Sequence, residues 1–165
     1  MKNASRRNIL IGLAILILAG AAAGGYGYYR VFYGADTGLV YTGLVEGVAV
    51  GGYDPVAYFK KGEPIAGSPD ISLEYKGAIW RFSSKENRDL FRQSPDEFAP
   101  AYGGYCAWAT AQGYLAKGDP NYWDIIDGKL YLNYDKSIQE RWHKDVPGFI
   151  EKAEKEWPRI VEEKS

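Results

Sequence analysis

From Asn8 to Tyr29 the chain carries no charged residue, and Ile9–Ala23 is almost wholly apolar. A helix built from this run has no polar face to turn to water, so it cannot lie on a globular core as an amphipathic helix does. At about 1.5 Å per residue, residues 9–29 span roughly 30 Å, the thickness of the hydrocarbon layer of a bilayer. Two readings stay open. As a cleaved export signal, Lys2, Arg6 and Arg7 form the basic region and Ala21-Ala22-Ala23 the small-residue cleavage site. The run Ser5-Arg6-Arg7-Asn8-Ile9-Leu10 is similar to a twin-arginine signal. As an uncleaved anchor, the run is followed by Tyr26, Tyr28, Tyr29, Phe32 and Tyr33, an aromatic belt at the membrane interface. The belt favours the anchor. Basic residues precede the span, so residues 1–8 are expected in the cytoplasm, 9–29 in the membrane, 30–45 as a linker and 46–160 as a folded domain outside.

Charge follows the same division. The first 30 residues hold four basic residues and no acid, which leaves 16 basic against 21 acidic residues in the remainder. A mildly acidic domain without a basic stripe excludes nucleic acid as an expected partner. With 46% hydrophobic and 15% aromatic residues the chain can bury a real core.

Local signals give an α+β fold: two β-hairpins forming a small antiparallel sheet, packed with several short helices and preceded by the membrane helix. Val48–Val50 reads as a first strand, broken by Gly51-Gly52. Asp54-Pro55 is a helix start, a capping carboxylate and then proline at the first helical position. Residues 72–75 and 78–82 alternate across Lys76-Gly77 as a hairpin, with Trp80 and Phe82 facing the core. Ser84 caps a helix through Arg92, and Ser94-Pro95-Asp96-Glu97 reads as a capping box opening a helix through Phe98 and Tyr102. Residues 105–111 fit helix and strand alike. Trp123–Asn133, with Asp127-Gly128 at its turn, is the clearest hairpin. Asp135 caps a helix with Ile138, Trp142 and Val146 on one face, and a last helix carries Ile150, Ala153 and Trp157 until Pro158 kinks or ends it. The sequence shows no evident internal repeat.

Four stretches stand together in order: Gly52–Phe59, Tyr75–Phe91, Tyr102–Ala107 and Trp123–Asn133. Together they resemble the YHS-domain proteins, in the exported bacterial branch that includes selenoproteins. The resemblance spans about residues 46–158. It implies a small α+β domain, association with metal-handling or redox proteins, and a position on the periplasmic side of a bacterial inner membrane, or free in the periplasm if the signal is cleaved. The membrane itself is the other expected partner, through the N-terminal helix. Cys106 corresponds to the chalcogen position.

The chain has one cysteine, Cys106, and one histidine, His143. That excludes an intramolecular disulfide and a Cys/His zinc cage. Cys106 follows Gly103-Gly104, whose amides could lower a thiol pKa. Three readings follow: a buried inert residue, a soft-metal ligand for an ion such as copper, or the nucleophile or redox centre of a thiol enzyme. His143 lies on the flank of its helix and reads as a surface residue before a metal ligand. Tyr53, Tyr58, Tyr102 and Tyr105 stand beside glycine breaks or short-helix ends and are candidates for a ligand pocket around Cys106. No carboxylate pair, phosphate loop or nucleophile elbow is present. The expected function is a membrane-tethered periplasmic binding or accessory module without catalysis of its own, with a Cys106 thiol enzyme and a purely structural domain as alternatives.

Overall fold

The structure, a computed structural model, describes residues 39–164. The expected segment 1–8, the span 9–29 and the linker up to residue 38 lie outside the described residues. Among the described residues no helix is long and apolar enough to cross a membrane.

The domain is α+β. In chain order come α1 (Pro55–Lys61), β1 (Ser68–Tyr75), β2 (Ala78–Phe82), α2 (Lys85–Gln93), α3 (Pro95–Phe98), α4 (Ala107–Ala111), β3 (Asp119–Ile126), β4 (Lys129–Asn133), α5 (Lys136–Trp142) and α6 (Val146–Lys164). Short 3₁₀ turns at Ala49–Gly52 and Ala101–Gly104 precede α1 and α4.

This order is one unit used twice. Each half has a Gly-Gly-Tyr turn, a short helix, an eight-residue strand, a two-residue turn, a five-residue strand and a capped helix. The backbone repeats in detail. Val50 and Gly51 have φ of 53° and 60°, and so do Tyr102 and Gly103. Lys76 and Asp127 both open their turns at φ 49°, followed by glycine. Each hairpin slips register at the same place, between Ser68 and Ser72 and between Asp119 and Trp123. The expectation of no internal repeat is therefore corrected. The two copies share glycines, turns and caps but almost no core residues, which hides the repeat from composition and hydropathy.

The two hairpins do not join into one sheet; β1 pairs with β2 and β3 with β4. The outer edges of β2 and β4 are taken by other segments. The Ile79 amide donates to Gly47 O at 2.9 Å beside a parallel bridge from Val48 to Ile79, and Cys106 bridges Leu132. The expected strand Val48–Val50 is reduced to Val48, which is extended and bridges Ile79; the 3₁₀ turn Ala49–Gly52 follows at once, because a residue at Val50's positive φ cannot continue the extended chain. The expected helix from Ser94 stops at Phe98; Ala99 is extended ahead of Pro100, as a residue before proline prefers, and Ser94 makes no side-chain cap. Val146 does not extend the helix of Ile138 and Trp142 but starts α6, with Pro147 at its first turn. Pro158 does not end α6, which runs on to Lys164. Arg159 ties the turns on either side through Glu156 and Glu163.

Two apolar cores result. The first holds Val56, Tyr58, Trp80, Phe82 and Phe91; the second holds Tyr102, Ala107, Tyr131, Trp142 and Ala153. Strand β4 divides them by simple alternation: Leu130 and Leu132 enter the first core, Tyr131 the second.

Candidate functional site

The site is read most easily from its counterpart. Asp54 is completely buried and caps α1. Its Oδ1 accepts from the amides of Val56 (2.9 Å) and Ala57 (3.3 Å). Its Oδ2 accepts from the Ser83 amide (2.8 Å), the Ser83 hydroxyl (2.6 Å) and Asn87 Nδ2 (2.7 Å). A helix start, the end of β2 and the start of α2 are thus tied to one carboxylate, which explains how a charge can sit in the interior.

In the second half Cys106 occupies the place of Asp54. It precedes α4 and is fully buried, but its side chain makes no cap hydrogen bond; Trp108, Ala109 and Tyr134 hold the positions of Val56, Ala57 and Ser83. Burial pushes the Cys106 thiol above its ordinary pKa, and the amides of Ala109, Tyr134 and Trp108 oppose that by favouring a negative sulfur. Among the described residues the one side chain bonded to the sulfur is Asn133, whose Oδ1 accepts from Sγ at 3.8 Å. Asn133 is itself completely buried, and its Nδ2 has no partner among the described residues.

A cleft of about 280 Å³ reaches Cys106 and is lined by Trp108, Tyr114, Tyr134, Asp135 and Ile138 among others. Among the described residues Tyr114 and Tyr134 are two of the few large hydrophobic side chains left open to solvent, at 50% and 41% exposure, and both belong to this cleft. Lys117 Nζ lies over the Tyr134 ring at 4.8 Å.

The four tyrosines expected around Cys106 do not line this cleft. Tyr58 is buried in the first core, donates to Pro120 O at 3.0 Å and meets Trp123 edge-on. Tyr53 packs against the same core and bridges Ala66. Tyr105 stands between the rings of Tyr41 (5.2 Å) and Trp157 (6.4 Å). Tyr102 donates to Glu154 at 3.1 Å. It borders a different cleft, of about 300 Å³, shared by both halves and lined also by Tyr75, Lys76, Asp96, Lys129 and Trp157. The charges there are spent on one another. Asp96 Oδ1 accepts from Tyr75 (2.8 Å) and Lys76 (3.1 Å), and Lys129 donates to the Asp96 carbonyl (2.7 Å). Burial would raise the Asp96 carboxyl, but Tyr75, Lys76 and the charge of Lys129 outweigh it and hold the group below its ordinary value.

His143 closes α5 and is half exposed, as its position on the helix flank suggests; Nε2 lies 2.8 Å from Asp124 Oδ1. His143 does not line the cleft that reaches Cys106. Among the described residues no three His, Cys, Asp or Glu side chains converge on a point that could hold a metal ion.

Sequence reasoning missed Asn133, Tyr134 and Tyr114. Asn133 ends a strand on the face of Tyr131, which by alternation reads as core, and an amide in that row was the available signal. No family model, curated protein or solved structure matches the chain.

Proposed function

We propose that the chain is a membrane-tethered periplasmic YHS-domain protein that acts as a binding or accessory module in metal or redox homeostasis, without catalysis of its own. One observation carries the non-catalytic part: no titratable group bordering either cleft is poised to react. The sulfur is buried and held toward the neutral thiol, and Lys76, Asp96, Lys129 and Glu154 are engaged in structural bonds. What remains accessible is a concave aromatic surface at Tyr114, Tyr134 and Trp108, suited to holding a small or flat group. The tether and the location rest on the uncharged span 9–29 and the basic residues before it.

The test is iodoacetamide alkylation of the full-length protein across pH. Alkylation needs the thiolate, and burial raises the pKa, so the rate climbs through a midpoint above the ~8.5 of a free cysteine. A midpoint below that value would replace this reading with the thiol enzyme. Anaerobic titration with Cu(I) or Zn(II) is expected to give the same melting shift, or none, in wild type and Cys106→Ala. A stabilisation that Cys106→Ala abolishes would make the protein a direct metal carrier and not an accessory one.

A further inference from the structure

The duplicated backbone sets a carboxylate and a thiol in one and the same frame. In the first half three amides, those of Val56, Ala57 and Ser83, converge on the Asp54 carboxylate. In the second half Cys106 makes no side-chain cap hydrogen bond, and the counterparts Trp108, Ala109 and Tyr134 stand at the same positions about a sulfur that has one hydrogen and no oxygen to offer. The frame is built for an acid with two oxygens, and only one of its two copies holds one.

Asn133 supplies an independent sign. Its carboxamide faces Sγ through Oδ1, it is wholly buried, and its Nδ2 lacks an acceptor among the described residues. A buried amide N–H without a partner is destabilising, so an orphan on the carboxamide that faces the sulfur favours an acceptor there. A thiol cannot satisfy it well, since sulfur accepts weakly. The cleft lined by Cys106 gives a small oxidant a route from solvent.

We infer that Cys106 is an oxidation site whose stable product is the sulfinate, a group with the shape and charge of the Asp54 carboxylate. The oxidant is hydrogen peroxide. In the first step the sulfur attacks one peroxide oxygen, an S–O bond forms, the O–O bond breaks, and water leaves after proton transfer, giving the sulfenic acid. The second step repeats this at the same sulfur. One thiol and two peroxides become one sulfinic acid and two waters, with the sulfur oxidised and the peroxide oxygens reduced. The sulfinate oxygens then accept from the Trp108, Ala109 and Tyr134 amides as the Asp54 oxygens accept from theirs, and the Asn133 carboxamide turns over so that Nδ2 in place of Oδ1 faces the sulfinate and gains its acceptor. Because burial keeps the thiolate scarce, the reaction is slow at neutral pH and faster as pH rises. The product is a lasting record of peroxide exposure and not a rapid switch. It requires no ligand in the aromatic cleft, so it stands or falls apart from the binding function.

The test uses the full-length protein with and without hydrogen peroxide, followed by peptide mass analysis and thermal melting, beside Cys106→Ala and Cys106→Asp. The expected result is a gain of two oxygen atoms on the Cys106 peptide, with a melting temperature raised by about 5 °C. Cys106→Ala shows no such rise. Cys106→Asp, which writes the first half's acid into the second, is at least as stable as Cys106→Ala at neutral pH, where an aspartate in an ordinary buried site would be far less so. Three results would each overturn the inference: no oxidation beyond one oxygen, a lower melting temperature for the doubly oxidised wild type, or a Cys106→Asp protein less stable than Cys106→Ala.

Discussion

Replacing Asp54 with alanine is expected to cost about 4 kcal/mol of stability, the largest effect of any single polar substitution in the domain. The carboxylate is completely buried and receives five hydrogen bonds from four residues on three elements. Removing it strands the Val56, Ala57 and Ser83 amides, the Ser83 hydroxyl and the Asn87 amide in the interior. Asn87 and Ser83 cannot substitute for it, because both already act as donors. Asp54→Asn recovers only part of the loss: its Oδ1 can still cap α1, but its Nδ2 meets the donors of Ser83 and Asn87 head-on. Denaturant unfolding would show the midpoint falling at unchanged slope. A loss below about 1 kcal/mol for the alanine variant would mean the cap is dispensable, and would weaken the parallel with Cys106 as well.

Gly118→Ala is expected to be severely damaging, by about 3 kcal/mol or more. A methyl group there would collide with the Gly104 carbonyl oxygen and would sit 2.9 Å from Leu132 Cβ. The opposing atom is backbone from the turn that leads into Cys106, so no side-chain rotation relieves the contact. Its counterpart Gly67 faces the backbone of Arg81 and Phe82 in the same manner. Gly62→Ala makes a useful contrast: nothing stands near its absent methyl, and its cost is limited to a left-handed φ of 70°. Melting temperatures should therefore fall far more for Gly118→Ala than for Gly62→Ala, and equal falls would show that conformation and not space decides at both.

Much of the local structure is legible in the sequence because it rests on short-range chemistry. Asp54-Pro55, Ser84 and Asp135 announce helix starts, and each side chain makes the expected cap. Asp127-Gly128 fixes one hairpin, and the alternation around Trp80 fixes the face of the other. What escapes is everything set at long range. Whether two hairpins share a sheet depends on what occupies their edges, and Gly47 and Cys106 settle that from far away in the chain. The repeat escapes for another reason. Gly51-Gly52-Tyr53 and Gly103-Gly104-Tyr105 are plain to see, but the residues after them exchange acid for thiol and Phe82 for Asn133. Cys106 stands out as the only sulfur nucleophile, whereas its surroundings do not. The tyrosines nearest to it in motif and sequence are spent on packing, and the ones that form its cleft, Tyr114 and Tyr134, lie in a loop and at a strand end.

The way the chain enters the domain bears on how the domain would respond to force. The Tyr41 amide donates to Gly103 O at 2.9 Å, and Gly103 lies so close to Leu39 that a side chain there would strike its carbonyl oxygen. The entering segment is therefore clasped by its backbone to the second half, while Val40 packs on the first core. A pull along the chain from its N-terminal side would load this one backbone clasp before either hairpin. It is expected to open first and release the segment around Tyr41 while the paired strands behind it hold, a mechanical fuse at the entrance to the fold.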